Sequence, residues 1–386
     1  MLKAIGFLPL RKGSKGIVNK NKRKMAGRPL FSWVLTEAIF SELDEIVVYT
    51  DDEFINAYIT ENYQWTDKVK VMERSVATAT DTASTESAIL EYCEKSSYDF
   101  DVFCLMQATS PFTTAEDINN CLKKQSNGYD SVLSVVKTHR FSWDANGAPL
   151  NYDFNNRPRR QDFEGLLIEN GAVYVTSKEA LQKSKNRISG SIGLVEMHED
   201  SYHEIDSETD WKMVEQLLID RLIRSKTSIP ITHLVLDVDG VFTDGKVSYS
   251  ENGELSKNFD MRDGMGLEVI RELGITVMVM TSENSPLVAA RMKKLKIEDV
   301  FLGVKDKYSR MRRLLMESDL NAGNIAYLGD DINDLATMCM VGWSMAPNNA
   351  MTIIKKHADM TLTKEGGAGA IREACDLLIK YNKRYE

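Results

Sequence analysis

Two carboxylates set two residues apart, Asp237 and Asp239, follow the apolar run Leu234-Val235-Leu236 and lead into Gly240-Val241-Phe242-Thr243-Asp244-Gly245. The pattern predicts a buried strand that surfaces at the aspartates. Ligands gather at the carboxyl ends of strands in open α/β sheets. A carboxylate at such an end can attack phosphorus, and one two residues on can handle the proton. Asp237 is thus the expected nucleophile, forming an aspartyl phosphate. Asp239 is expected to protonate the leaving oxygen and then activate water. A phosphomonoester carries about two negative charges near pH 7, so the site needs counter-charge. A second apolar run, Ile325-Ala326-Tyr327-Leu328, ends in Gly329-Asp330-Asp331-Ile332-Asn333-Asp334. Carboxylates so crowded repel one another unless a cation sits among them, and Mg²⁺ prefers oxygen ligands. The expected ligands are Asp237, Asp330 and the backbone carbonyl of Asp239, with Asp331 and Asp334 in support. Lys307 is the expected fixed positive charge. A third run, Val277–Met280, ends at Thr281-Ser282, which offers a hydroxyl and an amide to phosphate oxygens.

A different chemistry is written near the start. The run Ala4–Leu8 leads into Pro9-Leu10-Arg11-Lys12-Gly13-Ser14-Lys15-Gly16, followed by Asn19-Lys20-Asn21. Small residues let backbone amides approach phosphate oxygens, and Arg and Lys neutralise them. The loop is not a Walker loop, because G-x-x-x-x-G-K-[ST] is absent. No Asp or Glu precedes Glu37, while Arg11, Lys12, Lys15, Lys20, Lys22, Arg23, Lys24 and Arg28 all do. A basic head on a chain of net charge −9 points to one anionic ligand there. A solvated loop or an RNA-binding arm is the rival reading of those charges, but the overall negative charge argues against a general nucleic-acid binder.

The elements that must carry these groups alternate along the chain. Short apolar runs predict strands at Ala4–Leu8, Ile46–Tyr49, Val102–Gln107, Ser131–Val136, Gly171–Val175 and Ile192–Val195. A second set lies at His233–Leu236, Thr276–Met280, Ile325–Leu328 and Gly342–Met345. Longer helical patterns separate them, which predicts an α/β chain of two doubly wound domains with parallel sheets and helical covers. Asp210–Arg224 predicts a closing amphipathic helix. The polar, proline-ended segment Arg224–Pro230 after it sets domains at residues 1–225 and 231–386. The 386 residues are enough for two cores. No run approaches the about 20 consecutive apolar residues of a membrane helix, and the first residues lack signal-peptide order. Five scattered cysteines form no C-x-x-C pair, which fits a reducing cytoplasm.

Taken together, Asp237-x-Asp239-Gly-Val-x-Thr-Asp-Gly, Thr281, Lys307 and Gly329-Asp330-Asp331 resemble the four motifs of the haloacid dehalogenase phosphatase superfamily. The tail Gly366-Gly367-Ala368-Gly369-Ala370-Ile371-Arg372-Glu373 is similar to the branch of 3-deoxy-octulosonate 8-phosphate and sialic-acid 9-phosphate phosphatases, over roughly His233 to Leu378. That resemblance implies a parallel sheet without a large cap, and a homotetramer formed through this domain. The interval from Asp237 to Thr281 has room only for a hairpin turning at Asn252-Gly253 and one helix. Octulosonate-type relatives carry Gly-Arg after the threonine. Here Ser282-Glu283 follows, with Arg291 and Lys294 beyond, which resembles the nine-carbon type and implies that Thr281, Ser282 and Glu283 meet substrate.

The N-terminal half also carries Arg74, Asp81-Thr82-Ala83-Ser84, Leu105–Pro111, Arg157–Asp162 and Glu169–Tyr174 in order. With the basic loop, these resemble acylneuraminate cytidylyltransferases from Ile5 to about Leu217. The resemblance implies a Rossmann-like mixed sheet and Mg²⁺-dependent transfer of CMP from CTP to a 2-keto sugar acid. It implies that Arg11 and Lys20 act on the triphosphate with Ser14, Lys15 and Asn21. Arg74, Thr82 and Ser84 would line the nucleotide pocket, and Gln107, Arg160 and Tyr174 would face the sugar acid. Glu204-Ile205-Asp206 stands where relatives carry Asp-x-Asp for the metal. Asp206 is the preferred ligand over Glu204, with Asp210 in reserve. The expected whole is a bifunctional cytoplasmic enzyme acting on CTP, a nonulosonic acid and its 9-phosphate. The rivals are a synthetase whose second half only tetramerises, and an octulosonate or legionaminate as substrate.

Overall fold

The computed structural model describes residues 2–13, 16–227 and 229–385. The chain divides into two compact units: Met1–Met25 with Pro29–Val214, and Ala26–Arg28 with Glu215–Glu386.

The first unit is built on a seven-stranded mixed sheet. In spatial order its strands are Val69–Glu73, Glu45–Thr50, Ala4–Leu10, Val102–Met106, Leu166–Ser177, Ser131–Thr138 and Ile192–Glu196. Leu166–Ser177 runs antiparallel to both neighbours, and the remaining pairs are parallel. This is the mixed sheet that the resemblance implied. The central strands are apolar on both faces because helices cover both. Leu8, Val48, Cys104 and Val175 lie in one cluster with Phe31 and Leu35 of the helix Leu30–Phe40. Phe7, Val47, Phe103 and Tyr174 lie in another with Ile89 and Tyr92 of the helix Thr85–Lys95. Each such fully buried side chain contributes roughly 1.5–3 kcal/mol. The chain passes from Ala4–Leu10 to one side of the sheet first and to the other side later. The switch in strand order therefore opens a crevice beside the end of Ala4–Leu10, where the basic loop begins.

The second unit holds a six-stranded parallel sheet in the order Asp299–Phe301, Thr276–Met280, His233–Leu236, Ile325–Leu328, Trp343–Ala346 and Met360–Thr361. His233–Leu236 lies at its switch point, so Asp237 opens directly into the crevice. Between Asp237 and the strand Thr276–Met280 stand only the hairpin Ser248–Ser250 with Gly253–Ser256 and the helix Met261–Glu272. That matches the expectation of no large cap. Gly253 takes φ +109° at the hairpin turn, a conformation glycine adopts without steric cost. Gly240 is demanded more strictly: it takes φ +84°, and a Cβ there would lie 1.9 Å from Asp330 Oδ2.

Candidate active sites

In the second unit each expected group sits at a strand end. The amide of Asp237 donates to the carbonyl of Leu328 at 3.0 Å, fixing one strand end against the other. Lys307 begins the helix Lys307–Glu317, which Asp306 caps by accepting from the Ser309 amide. Its ammonium is fully buried, 2.8 Å from Asp237 Oδ1 and 2.6 Å from Asp334 Oδ1. Burial opposes that charge, but the two carboxylates outweigh it and hold the Lys307 pKa above its ordinary value. Asp334 also accepts from the Tyr327 hydroxyl at 2.7 Å and from the Asp330 and Asp331 amides. Sequence reasoning gave Asp334 a supporting part, and the structure makes it the hub of the cluster.

Asp237, Asp330 and Asp334 offer carboxylate oxygens all within 4.8 Å of one another, a group able to hold a metal ion. Burial, followed by the neighbouring carboxylates, pushes Asp330 well up from the ordinary carboxylate range. Burial also pushes Asp237 up, against the pull of Lys307. Asp330 Oδ1 is buried without a hydrogen-bond partner. Clustered oxygens with one left over are what a hard divalent cation takes, so the donor set fits the group.

The ligand expected from Asp239 is its backbone carbonyl, which leaves its carboxylate for the proton. Its carboxylate is absent from the carboxylate cluster and instead meets Lys257 Nζ at 2.8 and 3.0 Å. Thr281 is buried, and Ser282 Oγ donates to the carbonyl of Val304 and accepts from Asn333 Nδ2 at 2.8 Å. A cleft of about 350 Å³ joins Asp237, Asp239, Thr281, Ser282, Glu283 and Asp330 with Glu254, Lys257 and Asn333. Sequence reasoning missed the last three. The tail closes on the same loop: Gly366 has no room for a Cβ beside the Gly240 carbonyl, 1.9 Å away.

In the first unit a cleft of about 210 Å³ is lined by Pro9, Arg11, Gly13, Lys20, Asn21, Arg74, Gln107 and Thr109, among others. Arg11 bonds Asp81, and Lys20 Nζ reaches the Ile205 carbonyl at 2.7 Å and Asp206 at 3.5 Å. Asn21 Nδ2 donates to the Arg11 carbonyl. Arg74 is buried, with Nη2 on the Thr78 carbonyl and Nε without a partner. Burial lowers its pKa. A second cleft of about 290 Å³ shares Gln107 and Thr109 with the first and adds Ser110, Glu169, Asn170, Gly171, Tyr174 and Glu204. Tyr174 is both core and lining; its hydroxyl donates to Glu169, and burial raises its pKa. Arg187, which no motif flagged, lies 5.2 Å from the Tyr174 ring and bonds Glu86 at 2.5 Å.

Several expected residues are placed elsewhere. Thr82 and Ser84 are exposed, and Ala83 and Thr85 line the cleft instead. Ser84 accepts from the Ser87 amide as the cap of Thr85–Lys95, a use for which a serine before a helix is equally suited. Arg160 is exposed and lines neither cleft. Ile205 is buried between Glu204 and Asp206; Glu204 lines the second cleft, while Asp206 faces Lys20 with 76% of its side chain exposed. The reserve ligand Asp210 is engaged by the amides of Asp206 and Ser207 and by the Ser207 hydroxyl. Ser14 and Lys15 lie outside the described residues.

Fold and sites define a nucleotide-phosphate-binding α/β unit followed by an aspartate-based phosphoryl-transfer unit. Residues 5–228 match the cytidylyltransferase family model, and residues 265–373 match that of haloacid dehalogenase-like hydrolases. N-acylneuraminate cytidylyltransferase A of Danio rerio is 31% identical over 385 residues, covering 97% of this chain and 88% of that protein. The 3-deoxy-D-manno-octulosonate 8-phosphate phosphatase of Haemophilus influenzae is 36% identical over 150 residues, 39% of this chain and 83% of that protein. The cobalt-bound structure of the Haemophilus influenzae deoxy-D-mannose-octulosonate 8-phosphate phosphatase covers 40% of this chain and 90% of its own at 35% identity, with a TM-score of 0.39. The chain belongs to the N-acylneuraminate cytidylyltransferase family and carries a haloacid dehalogenase-like hydrolase domain in its C-terminal half. Among the described residues no helix is long and apolar enough to cross a membrane.

Proposed function

We propose that the chain performs two consecutive steps on one sugar acid: hydrolysis of a nonulosonic acid 9-phosphate, and transfer of CMP from CTP to the freed acid with release of pyrophosphate. The cytidylyltransferase domain spans 1–225 and the phosphatase domain 231–386. In the phosphatase, the Asp237 carboxylate attacks phosphorus and the sugar oxygen leaves with a proton from Asp239. Water then attacks the aspartyl phosphate, giving its proton to Asp239, and inorganic phosphate leaves. Lys307 holds Asp237 in line, and Thr281 and Ser282 take phosphate oxygens. Asp237 and Asp330, with the backbone carbonyl of Asp239, would hold Mg²⁺, which when bound neutralises phosphate charge. Glu283 meets the sugar.

In the transferase, the anomeric hydroxyl attacks the α-phosphorus of CTP and pyrophosphate departs. Catalysis of this kind is positioning and charge neutralisation. Arg11, Lys20 and Asn21 hold the triphosphate with Ser14 and Lys15, and Arg74 binds the nucleotide. Gln107 and Tyr174 face the sugar acid. Glu204 and Asp206 would hold a second Mg²⁺. The enzyme acts in the cytoplasm, away from nucleic acid and membrane, as a homotetramer through its C-terminal domain. Its free, buried cysteines suit a reducing compartment.

The observation that carries the reading is the complete Asp237, Asp330, Lys307 and Asp334 constellation in the same chain as the Arg11, Lys20 and Arg74 cleft. That completeness opposes a second half that only tetramerises. The test is Asp237→Asn. CMP transfer to free sialic acid should survive, and phosphate release from the 9-phosphate should fall by at least about 10³-fold. Equal phosphate release by parent and variant would reject the nucleophile. The match to an octulosonate 8-phosphate phosphatase supports a second reading for the C-terminal substrate. A panel of octulosonate, legionaminate and sialate phosphates, followed by the free acids with CTP, separates the two by rate.

A further inference from the structure

The hairpin beside the phosphatase cleft is inside out. It exposes its apolar side chains, Tyr249 at 69% and Leu255 at 63%. It buries two charged ones: Glu254 is 19% exposed and Lys257, just beyond its second strand, 1%, while Glu251 at the turn is exposed. A hairpin on an ordinary surface does the reverse. Burying an ammonium costs several kcal/mol unless it is paired. Lys257 Nζ is paired twice, with both oxygens of Asp239 at 2.8 and 3.0 Å and with Glu254 at 3.3 Å. Glu254 is itself held by the Ser285 hydroxyl, which also caps the helix Pro286–Lys294.

We infer that Lys257 is a positioning residue for the phosphatase: it fixes the Asp239 carboxyl group at the place from which the leaving oxygen is protonated. The inference rests on the proposed phosphatase reading and adds a residue to it. The chain of contact runs Ser285, Glu254, Lys257, Asp239, so the hairpin serves the site as a clamp on the acid/base group. Gripping both oxygens removes the rotation about χ2 that an aspartate at the mouth of a cleft otherwise keeps. An exact place for that carboxyl matters most when proton donation limits the step. It matters little when the leaving oxygen departs unprotonated.

The experiment compares Lys257→Met, Lys257→Arg and Glu254→Gln in the full chain. It measures kcat/KM for N-acetylneuraminic acid 9-phosphate and for p-nitrophenyl phosphate. This constant reports the first transfer, to Asp237, in which the leaving group still figures. For Lys257→Met we expect a loss of about 100-fold on the sugar phosphate, whose alkoxide needs the proton, and of less than about 5-fold on p-nitrophenyl phosphate. Lys257→Arg should recover part of the sugar phosphate rate. Glu254→Gln should show the same selectivity at about 10-fold. CMP transfer by the same preparations reports that the chain is folded. Equal losses on both phosphates, or none on either, would overturn the inference. Asp237→Asn, run alongside, must abolish both; if it does not, the nucleophile assignment has failed and not the clamp.

Discussion

The two clefts hold their charges in opposite ways. In the second unit the working groups are buried and already paired with each other. Lys307 is fully enclosed between Asp237 and Asp334, and Lys257 between Asp239 and Glu254. In the first unit Arg74 is buried on a backbone carbonyl, but Arg11 and Lys20 meet carboxylates that are themselves exposed. Arg11 bonds Asp81, and Lys20 approaches an Asp206 that is 76% exposed. The difference follows from where each site gets its counter-charge. A carboxylate nucleophile must be screened before a phosphate dianion arrives, so its cation is part of the fold. A triphosphate brings its own negative charge, so the cradle can wait for it. One site is preorganised, and the other is completed by its ligand.

The largest break in that contrast comes from Lys307→Met. Removing one member of a buried charge cluster leaves Asp237 and Asp334 facing each other and costs about 3–5 kcal/mol. Phosphate release should fall by more than about 10³-fold. The second unit should also unfold at lower denaturant, read by tryptophan emission and differential scanning calorimetry. Arg11→Ala with Lys20→Ala should behave differently. The cradle is open, so stability should change by less than about 0.5 kcal/mol. The KM for CTP should rise by about 100-fold, with phosphate release untouched. A large loss of stability in that double variant would mean that the first cleft is as preformed as the second.

The sequence made the central strands and their ends legible because burial on both faces leaves an uninterrupted apolar run. Every such run, from Ala4–Leu10 to Trp343–Ala346, became a strand. Of the strands in the two main sheets, three escaped among the described residues, Val69–Glu73, Asp299–Phe301 and Met360–Thr361, and all three stand at a sheet edge. Edge strands are short and carry polar side chains that blunt pairing, so the periodic signal is lost. The catalytic carboxylates were legible because each sits within three residues of the end of a buried run. Lys257 was not, because a lysine in a hairpin reads as solvent-facing and only tertiary contact inverts it. Ser84 was misplaced for a local reason: a serine before a helix satisfies a ligand motif and a cap motif alike.

The units should also part company with pH. In the first, burial opposes the Glu91 carboxylate, but bonds from Lys95 and Thr78 outweigh it and hold its pKa down to about 2. A depressed carboxylate contributes stability above its unfolded value, near 4.5, that is lost as pH falls through about 2. In the second, burial pushes Asp263 up to about 6, only partly offset by the Arg372 amide, and its Oδ2 has no partner. A raised carboxylate works the other way: its contribution is complete below its ordinary value and is lost as pH rises through about 6. Asp263→Asn keeps an oxygen for the Arg372 amide and removes the charge. It should stabilise the second unit above pH 6 by on the order of 2 kcal/mol and do little below pH 4. Glu91→Gln should destabilise the first unit near neutrality and flatten its acid limb. Urea titrations at four pH values, with the two units followed separately by calorimetry, read both slopes. Parallel slopes would dissolve the distinction.

The smallest effect sharpens the contrast at a single residue. Ser84 stands beside the nucleotide cleft but spends its hydroxyl on the Ser87 amide, 3.1 Å away. If the cradle is an open surface completed by ligand, a neighbour that never faces it is free to change. Ser84→Ala should therefore cost about 1 kcal/mol of stability, the loss of one helix cap, and leave the KM for CTP within about 2-fold. Ser84→Asp, which caps as well and adds a negative charge at the start of a helix, should restore the stability. It should raise KM only slightly, because its oxygens are drawn back to the same amide. Were Ser84→Ala instead to raise KM by about 10-fold at unchanged stability, roughly 1.4 kcal/mol of binding, the hydroxyl would have to leave its cap when CTP arrives. The cradle would then be a loop that rearranges around its ligand, and the cap a resting position.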